Sequence, residues 1–128
     1  MSLRSPLGKV LGLGTAKEGA SHWWSQRVTA VALLVLTLWF VSALLRLQDF
    51  SYPVVAAWIG KPLNAVLLSL LVGTMAWHSQ LGVQVVVEDY VTGKALKIVT
   101  MLLLNFIHIA LAVAGVFAVL RIAFGTPA

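Results

Sequence analysis

Three long apolar runs constrain this chain more than any other feature of it. The first spans about residues 28–45, between Arg27 and Arg46. The second spans about 63–87, following Lys61 and Pro62, and the third about 98–120, between Lys97 and Arg121. At ~1.5 Å of rise per residue the first reaches ~27 Å and the second ~37 Å, against a hydrocarbon core of about 30 Å. Hydrocarbon offers no hydrogen-bond partner to a backbone N–H or C=O, so a lone apolar segment crosses it only as a helix. The expected fold is therefore an all-α integral membrane domain over residues 1–128 with three transmembrane helices. Composition agrees: 10% of residues are charged, where a soluble domain has about 25%.

The charges are informative by position. Nine Lys and Arg against four Asp and Glu give +5, but they are dispersed, which argues against a nucleic-acid partner and for contacts with anionic head groups or an anionic cofactor. Arg4, Lys9, Lys17, Arg27, Lys94 and Lys97 fall on one side of a three-span topology, and Arg46, Lys61 and Arg121 on the other. Six against three places the N-terminus in the cytoplasm. There is no cysteine, so no thiolate ligand or iron–sulfur cluster comes from this chain. A redox metal would have to be held by one of three histidines, His22, His78 or His108.

Residues 1–27 read as a cytoplasmic arm, flexible through Ser21, with Gly8, Gly12, Gly14 and Gly19 among scattered charges. It has neither the apolar core of a secretory signal nor the Ser/Arg-rich amphipathic pattern of a mitochondrial presequence. Between the first two spans, Pro53 disfavours helix at Tyr52, and residues 54–59 suit a short interfacial helix with Trp58 at the membrane surface.

The chemistry gathers from Trp77 to Tyr90. His78 lies inside an apolar run, where an imidazole without a partner is costly. Two readings are open: a histidine hydrogen-bonded to a neighbouring helix, and an axial haem ligand between facing helices. Gly82, one turn on, would let a flat macrocycle approach the backbone. His108 sits mid-span, three residues after Asn105; it is either a second haem ligand or half of an interhelical polar pair. Asp89 lies eleven residues beyond His78, within ~20° of the same helix face and ~16 Å further along it. Asp89 and Tyr90 are either a solvated helix end with an interfacial Tyr, or a phenol donor and an acid that serve a quinone carbonyl. Arg27 and His22 are interfacial residues that also suit pairing with carboxylates such as haem propionates. A transporter would be expected to show an internal repeat and paired intramembrane acids, and neither is present.

Three spans, an Arg opening the first, and His78-x10-Asp89-Tyr90 closing the second together resemble the small hydrophobic membrane-anchor subunit of succinate dehydrogenase (complex II). Ala16-Lys17-Glu18-Gly19 and His22-Trp23-Trp24 look most like its alphaproteobacterial branch. The resemblance covers nearly the whole chain in architecture and is sharpest from His78 to Tyr90 and around Arg27. It implies half of a two-subunit haem-binding bundle in the bacterial inner membrane, with no catalytic cycle of its own. The implied partners are a second membrane anchor of cytochrome b556 type, an iron–sulfur subunit and a flavoprotein. It further implies His78 as the haem b axial ligand, Tyr90 and Asp89 at the ubiquinone site, and Arg27, with His22 at a shifted spacing, near the haem propionates. His108 has no counterpart in the family's pattern. The competing expectation is a self-contained membrane cytochrome that uses both His78 and His108.

Overall fold

A computed structural model describes the backbone of residues 16–125 and the side chains from Gly19 onward. It contains four helices, α1 (Ala16–Leu44), α2 (Tyr52–Ile59), α3 (Pro62–Tyr90) and α4 (Lys94–Phe124). Three of them, over Gly19–Leu44, Pro62–Tyr90 and Lys94–Phe124, are long and apolar enough to cross a membrane. At ~1.5 Å per residue these reach roughly 39–46 Å, so each extends beyond the hydrocarbon into the head-group region.

The helices overrun the apolar runs that announce them. The stretch from Ala16 to Arg27, expected as arm, is the first three turns of α1. Its polar residues do not interrupt the backbone ladder. Residues 1–15 lie outside the described residues, and with them most of the expected flexible arm. Helix α2 starts at Tyr52 despite Pro53, because a proline in the first turn removes only an N–H that has no intrahelical partner. Pro62 opens α3 in the same way.

Helix α3 is the middle of the assembly. It packs against α1 on one flank and α4 on the other, while α1 and α4 do not meet among the described residues. The buried apolar side chains, Ala65, Leu68, Leu81 and Val87, all belong to α3. Both pairings are antiparallel. Thr29 meets His78 while Gln26, nearly a turn earlier, lies beside Gly82, a turn later. On the other flank Lys97, Asn105 and Gly115 face Glu88, Gln80 and Val72 in turn. The result is an open row of three helices, with large apolar residues such as Leu34, Leu38, Phe106 and Phe117 exposed on its outer faces.

At the end away from Tyr90, α2 lies against α3 and α4, and its Trp58 reaches α1. Trp58 stacks on Trp39 with ring centroids 5.9 Å apart, and Phe40 lies 6.3 Å from Trp58. Asn64 donates to the Trp58 carbonyl at 2.7 Å, which ties α2 to the start of α3. In the preceding loop the Ser51 hydroxyl and then its backbone N–H donate to Asp49, holding that carboxyl below its usual range.

At Gly115 α4 lies tight against α3, where a Cβ would stand 2.7 Å from Val72 Cγ1. Val72 is β-branched and stiff at χ1, so it cannot swing aside. Small residues at such crossings are a usual device of membrane helix packing. Gly115→Ala is expected to destabilise the solubilised protein by about 1–3 kcal/mol through overpacking. Gly73→Ala, whose Cβ meets nothing within 4 Å, should stay within about 0.5 kcal/mol of wild type. Thermal unfolding in mild detergent measures both.

Candidate functional site

The site is built on the α1–α3 seam around His78. Its Nδ1 lies 2.9 Å from Thr29 Oγ1, and its Nε2 lies 3.5 Å from Gln26 Nε2. Thr29 is the most deeply enclosed polar residue described, 2% exposed. Its hydroxyl is 2.8 Å from the Ser25 carbonyl and 3.2 Å from that of Gln26. A carbonyl only accepts, so the single hydroxyl proton is directed back along α1, a common choice for Thr inside a helix. With the proton so directed, Thr29 Oγ1 is placed to accept from His78 Nδ1–H, the tautomer that leaves Nε2 with its lone pair. That second nitrogen is faced only by the distant Gln26 amide.

His22, Gln26 and Thr29 fall at i, i+4 and i+7, one stripe of α1. Two buried polar atoms on that stripe, His22 Nε2 and Gln26 Oε1, have no partner within the described structure. Such orphans are uncommon and point to a group supplied from elsewhere. Gln26 Nε2 is also 3.7 Å from where a Cβ on Gly82 would stand, so one flexible side chain fills the space over both His78 and Gly82.

His108 is in a different place. Its Nδ1–H donates to the Leu104 carbonyl at 2.8 Å, and its Nε2 accepts from the Ser79 hydroxyl at 3.2 Å. Asn105, one turn earlier, accepts from Gln80 Nε2 at 2.9 Å. Gln80 also reaches Gln84, and Gln84 reaches Glu88 at 2.7 Å, so polar groups run from mid-span to the end of α3. A cavity of about 370 Å³ opens beside them, lined by Trp77, Gln80, Asn105 and His108 among apolar residues. His78 and His108 thus occupy opposite flanks of α3, facing helices that do not touch. The two imidazoles of one copy do not face each other across a shared macrocycle, and His108 serves as interhelical glue.

Tyr90 ends α3, 82% exposed, with Asp89 exposed beside it. Arg27 is exposed on α1, its guanidinium 5.4 Å from the Trp23 ring centroid. The antiparallel register sets Arg27 within a turn of the level of His78, roughly 13 Å along the axis from Asp89. Arg27 and Asp89 therefore lie at different levels, because α1 begins about three turns before Arg27 and its earlier residues occupy the level of Asp89. Among the described residues no three His, Cys, Asp or Glu converge on a common point. A metal here would be met by single side chains.

Residues 1–120 match the family model described as the succinate dehydrogenase/fumarate reductase transmembrane subunit. The chain belongs to that family. Proteins named succinate dehydrogenase hydrophobic membrane anchor subunit are similar to it along most of their length. One from Rickettsia bellii is 31% identical over 116 residues, 91% of this chain and 93% of its own. Another from Paracoccus denitrificans is 33% identical over 114 residues, 89% and 88% of the two chains. A succinate dehydrogenase membrane anchor subunit from Reclinomonas americana is 29% identical over 104 residues, 79% of this chain and 87% of its own. The anchor is a multi-pass inner-membrane protein and one subunit of a larger complex, not an enzyme by itself.

Sequence reasoning missed Thr29 and Gln26. The signal was available in the i, i+4, i+7 spacing of His22, Gln26 and Thr29 on a helix face. On the other flank, a double-mutant cycle on Gln80→Leu and Asn105→Leu should give a coupling of about 0.6 kcal/mol, and at most ~1.7, as is usual between membrane helices. Unfolding of the solubilised complex reads it.

Proposed function

We propose that this anchor subunit works as half of a two-subunit membrane domain of a succinate:ubiquinone oxidoreductase. It docks an iron–sulfur subunit and a flavoprotein, holds haem b with His78 as one axial ligand, and forms part of the ubiquinone-reduction site with Tyr90 and Asp89. The observation that carries the haem reading is the contrast between the two mid-span histidines. His108 has both ring nitrogens hydrogen-bonded within this chain, at 2.8 and 3.2 Å. His78 has Nδ1 firmly bonded and Nε2 only loosely contacted, at 3.5 Å.

The residues present fit the group. Neutral imidazole with Nδ1–H donating outward is the form in which histidine binds iron through Nε2. Gly82 adds no side chain there, only the flexible Gln26 side chain lies over Gly82 and His78, and the orphaned His22 Nε2 and Gln26 Oε1 supply polar atoms on the same stripe. Arg27, exposed at the same level, suits a propionate. A haem b bound there supplies a one-electron redox centre. A second ligand to its iron would come from the second membrane anchor, seated on the exposed faces of the helix row.

Quinone reduction to quinol takes two electrons and two protons. Succinate oxidation in the flavoprotein provides the electrons, which pass through the iron–sulfur subunit. Tyr90 donates a hydrogen bond to one quinone carbonyl, and Asp89 beside it lies at the end of the membrane where protons enter from water. With the N-terminus cytoplasmic by the distribution of Lys and Arg, this end of α3 faces the cytoplasm, where the peripheral subunits dock. The exposure of Tyr90 accords with a pocket whose other walls belong to the partner chains.

Two tests follow. His78→Ala should abolish or alter the haem b absorption spectrum of the assembled complex, while His108→Ala leaves it unchanged; the opposite pattern overturns the ligand assignment. Tyr90→Phe should slow quinone reduction by roughly 10-fold or more, toward the range of a lost proton-transfer group, while succinate oxidation with an artificial acceptor continues at the wild-type rate. Equal loss in both assays points to failed assembly instead.

A further inference from the structure

We propose that Thr29 is the positioning residue for His78, fixing both its tautomer and its ring orientation for iron. The inference rests on the reading of His78 as a haem ligand and adds a specific role for a residue on another helix.

A histidine that binds metal through Nε2 works best when Nδ1–H is held by an acceptor, which fixes the ring and increases the basicity of Nε2. A carboxylate or backbone carbonyl is the usual acceptor. In α3 neither is available to His78. Unlike His108, which bonds a carbonyl of its own helix, His78 directs both ring nitrogens at α1, and the nearest acid in sequence, Glu88, is ten residues on and bonded to Gln84. The acceptor comes instead from α1, as the hydroxyl oxygen of Thr29 at 2.9 Å.

That hydroxyl is suited to the task because its own proton is already committed. Its donation to the Ser25 carbonyl at 2.8 Å turns a lone pair toward α3. The bonds form a short relay, from His78 Nδ1–H to Thr29 Oγ1 and from Thr29 O–H to the Ser25 carbonyl. A β-branched side chain has few rotamers in a helix, and at 2% exposure Thr29 has no water to turn toward. A fixed acceptor in a dry seam leaves the imidazole one low-energy tautomer, the one whose Nε2 is free. Without the hydroxyl, Nδ1–H faces apolar atoms, and the proton gains by moving to Nε2, where it blocks the metal position.

The test uses the complete complex purified in mild detergent from cells that express Thr29→Val, which keeps the side-chain shape, and Thr29→Ser, which keeps the hydroxyl. The readouts are haem content at limiting haem supply, the haem b midpoint potential by redox titration, and the EPR g-values of the oxidised haem. Thr29→Val should bind haem roughly 10-fold more weakly, the lower end of the usual effect of losing such a partner. Its midpoint potential should rise, because a less basic ligand stabilises ferric iron less. Thr29→Ser should return both toward wild type. Wild-type haem content, potential and g-values in Thr29→Val overturn the proposal. If Thr29→Val does not assemble, Thr29→Cys carries the test, since a thiol is a poor acceptor of similar size: a raised potential supports the proposal and a wild-type potential overturns it. His78→Ala run in parallel separates the two levels. A wild-type spectrum in that variant removes the ligand reading itself, whereas an altered spectrum beside an unaffected Thr29→Val removes only the role of Thr29.

Discussion

A polar side chain within hydrocarbon has no water to bond, so what its own helix backbone does not satisfy must find a partner on a neighbouring helix or remain unsatisfied. That requirement arranges this molecule. Helix α3 carries polar residues at two angular positions, His78 on one and Ser79 and Gln80 on the other, and each set needs its own neighbour. Helix α1 answers the first with Gln26 and Thr29, and α4 answers the second with Asn105 and His108. A helix polar on two flanks becomes the middle of a row. Apolar packing alone would not specify this, because lipid tails are as apolar as leucine and offer no driving force between helices. Gly115 then allows the α4 backbone to close on Val72, so the polar pairs on that flank are held at bonding distance.

An open row has consequences for an anchor. With α1 and α4 apart, the three helices do not close around a large ligand, and their broad faces remain apolar and exposed. Lipid can cover such a face, and so can a second chain of similar build. The orphaned polar atoms of His22 and Gln26 favour the second for the α1–α3 side, since lipid would leave them unsatisfied. Membership in a family of transmembrane subunits agrees with that division of labour.

The presence and number of the spans were legible in the sequence because eighteen or more apolar residues in succession have little alternative to a transmembrane helix. The ends were not. Ala16 to Arg27 carries Ser, His, Gln and Arg, and hydropathy ends a span where water begins, while a helix ends only where its hydrogen-bond ladder does. Tyr52 fell on the helical side of Pro53 for a related reason, that first-turn prolines are tolerated. That Asn105 and His108 form an interhelical polar pair was one of the two readings open for His108, but the helix they meet was not legible. Thr29 was hidden because an isolated Thr in an apolar run can satisfy itself against its own helix, and sequence does not show when it also serves another.

The two mid-span histidines show why residue type and depth do not by themselves assign a role. Each has Nδ1 hydrogen-bonded, His108 to a carbonyl of its own helix and His78 to a hydroxyl across the seam. The difference lies at Nε2. For His108, Ser79 stands close enough to complete the ring's hydrogen bonding, and the imidazole is spent as a crosslink. For His78, the opposing helix presents an amide at the limit of bonding distance, with a glycine beneath it. Whether a buried imidazole is glue or ligand is therefore decided by what the neighbouring helix leaves unbonded at its second nitrogen.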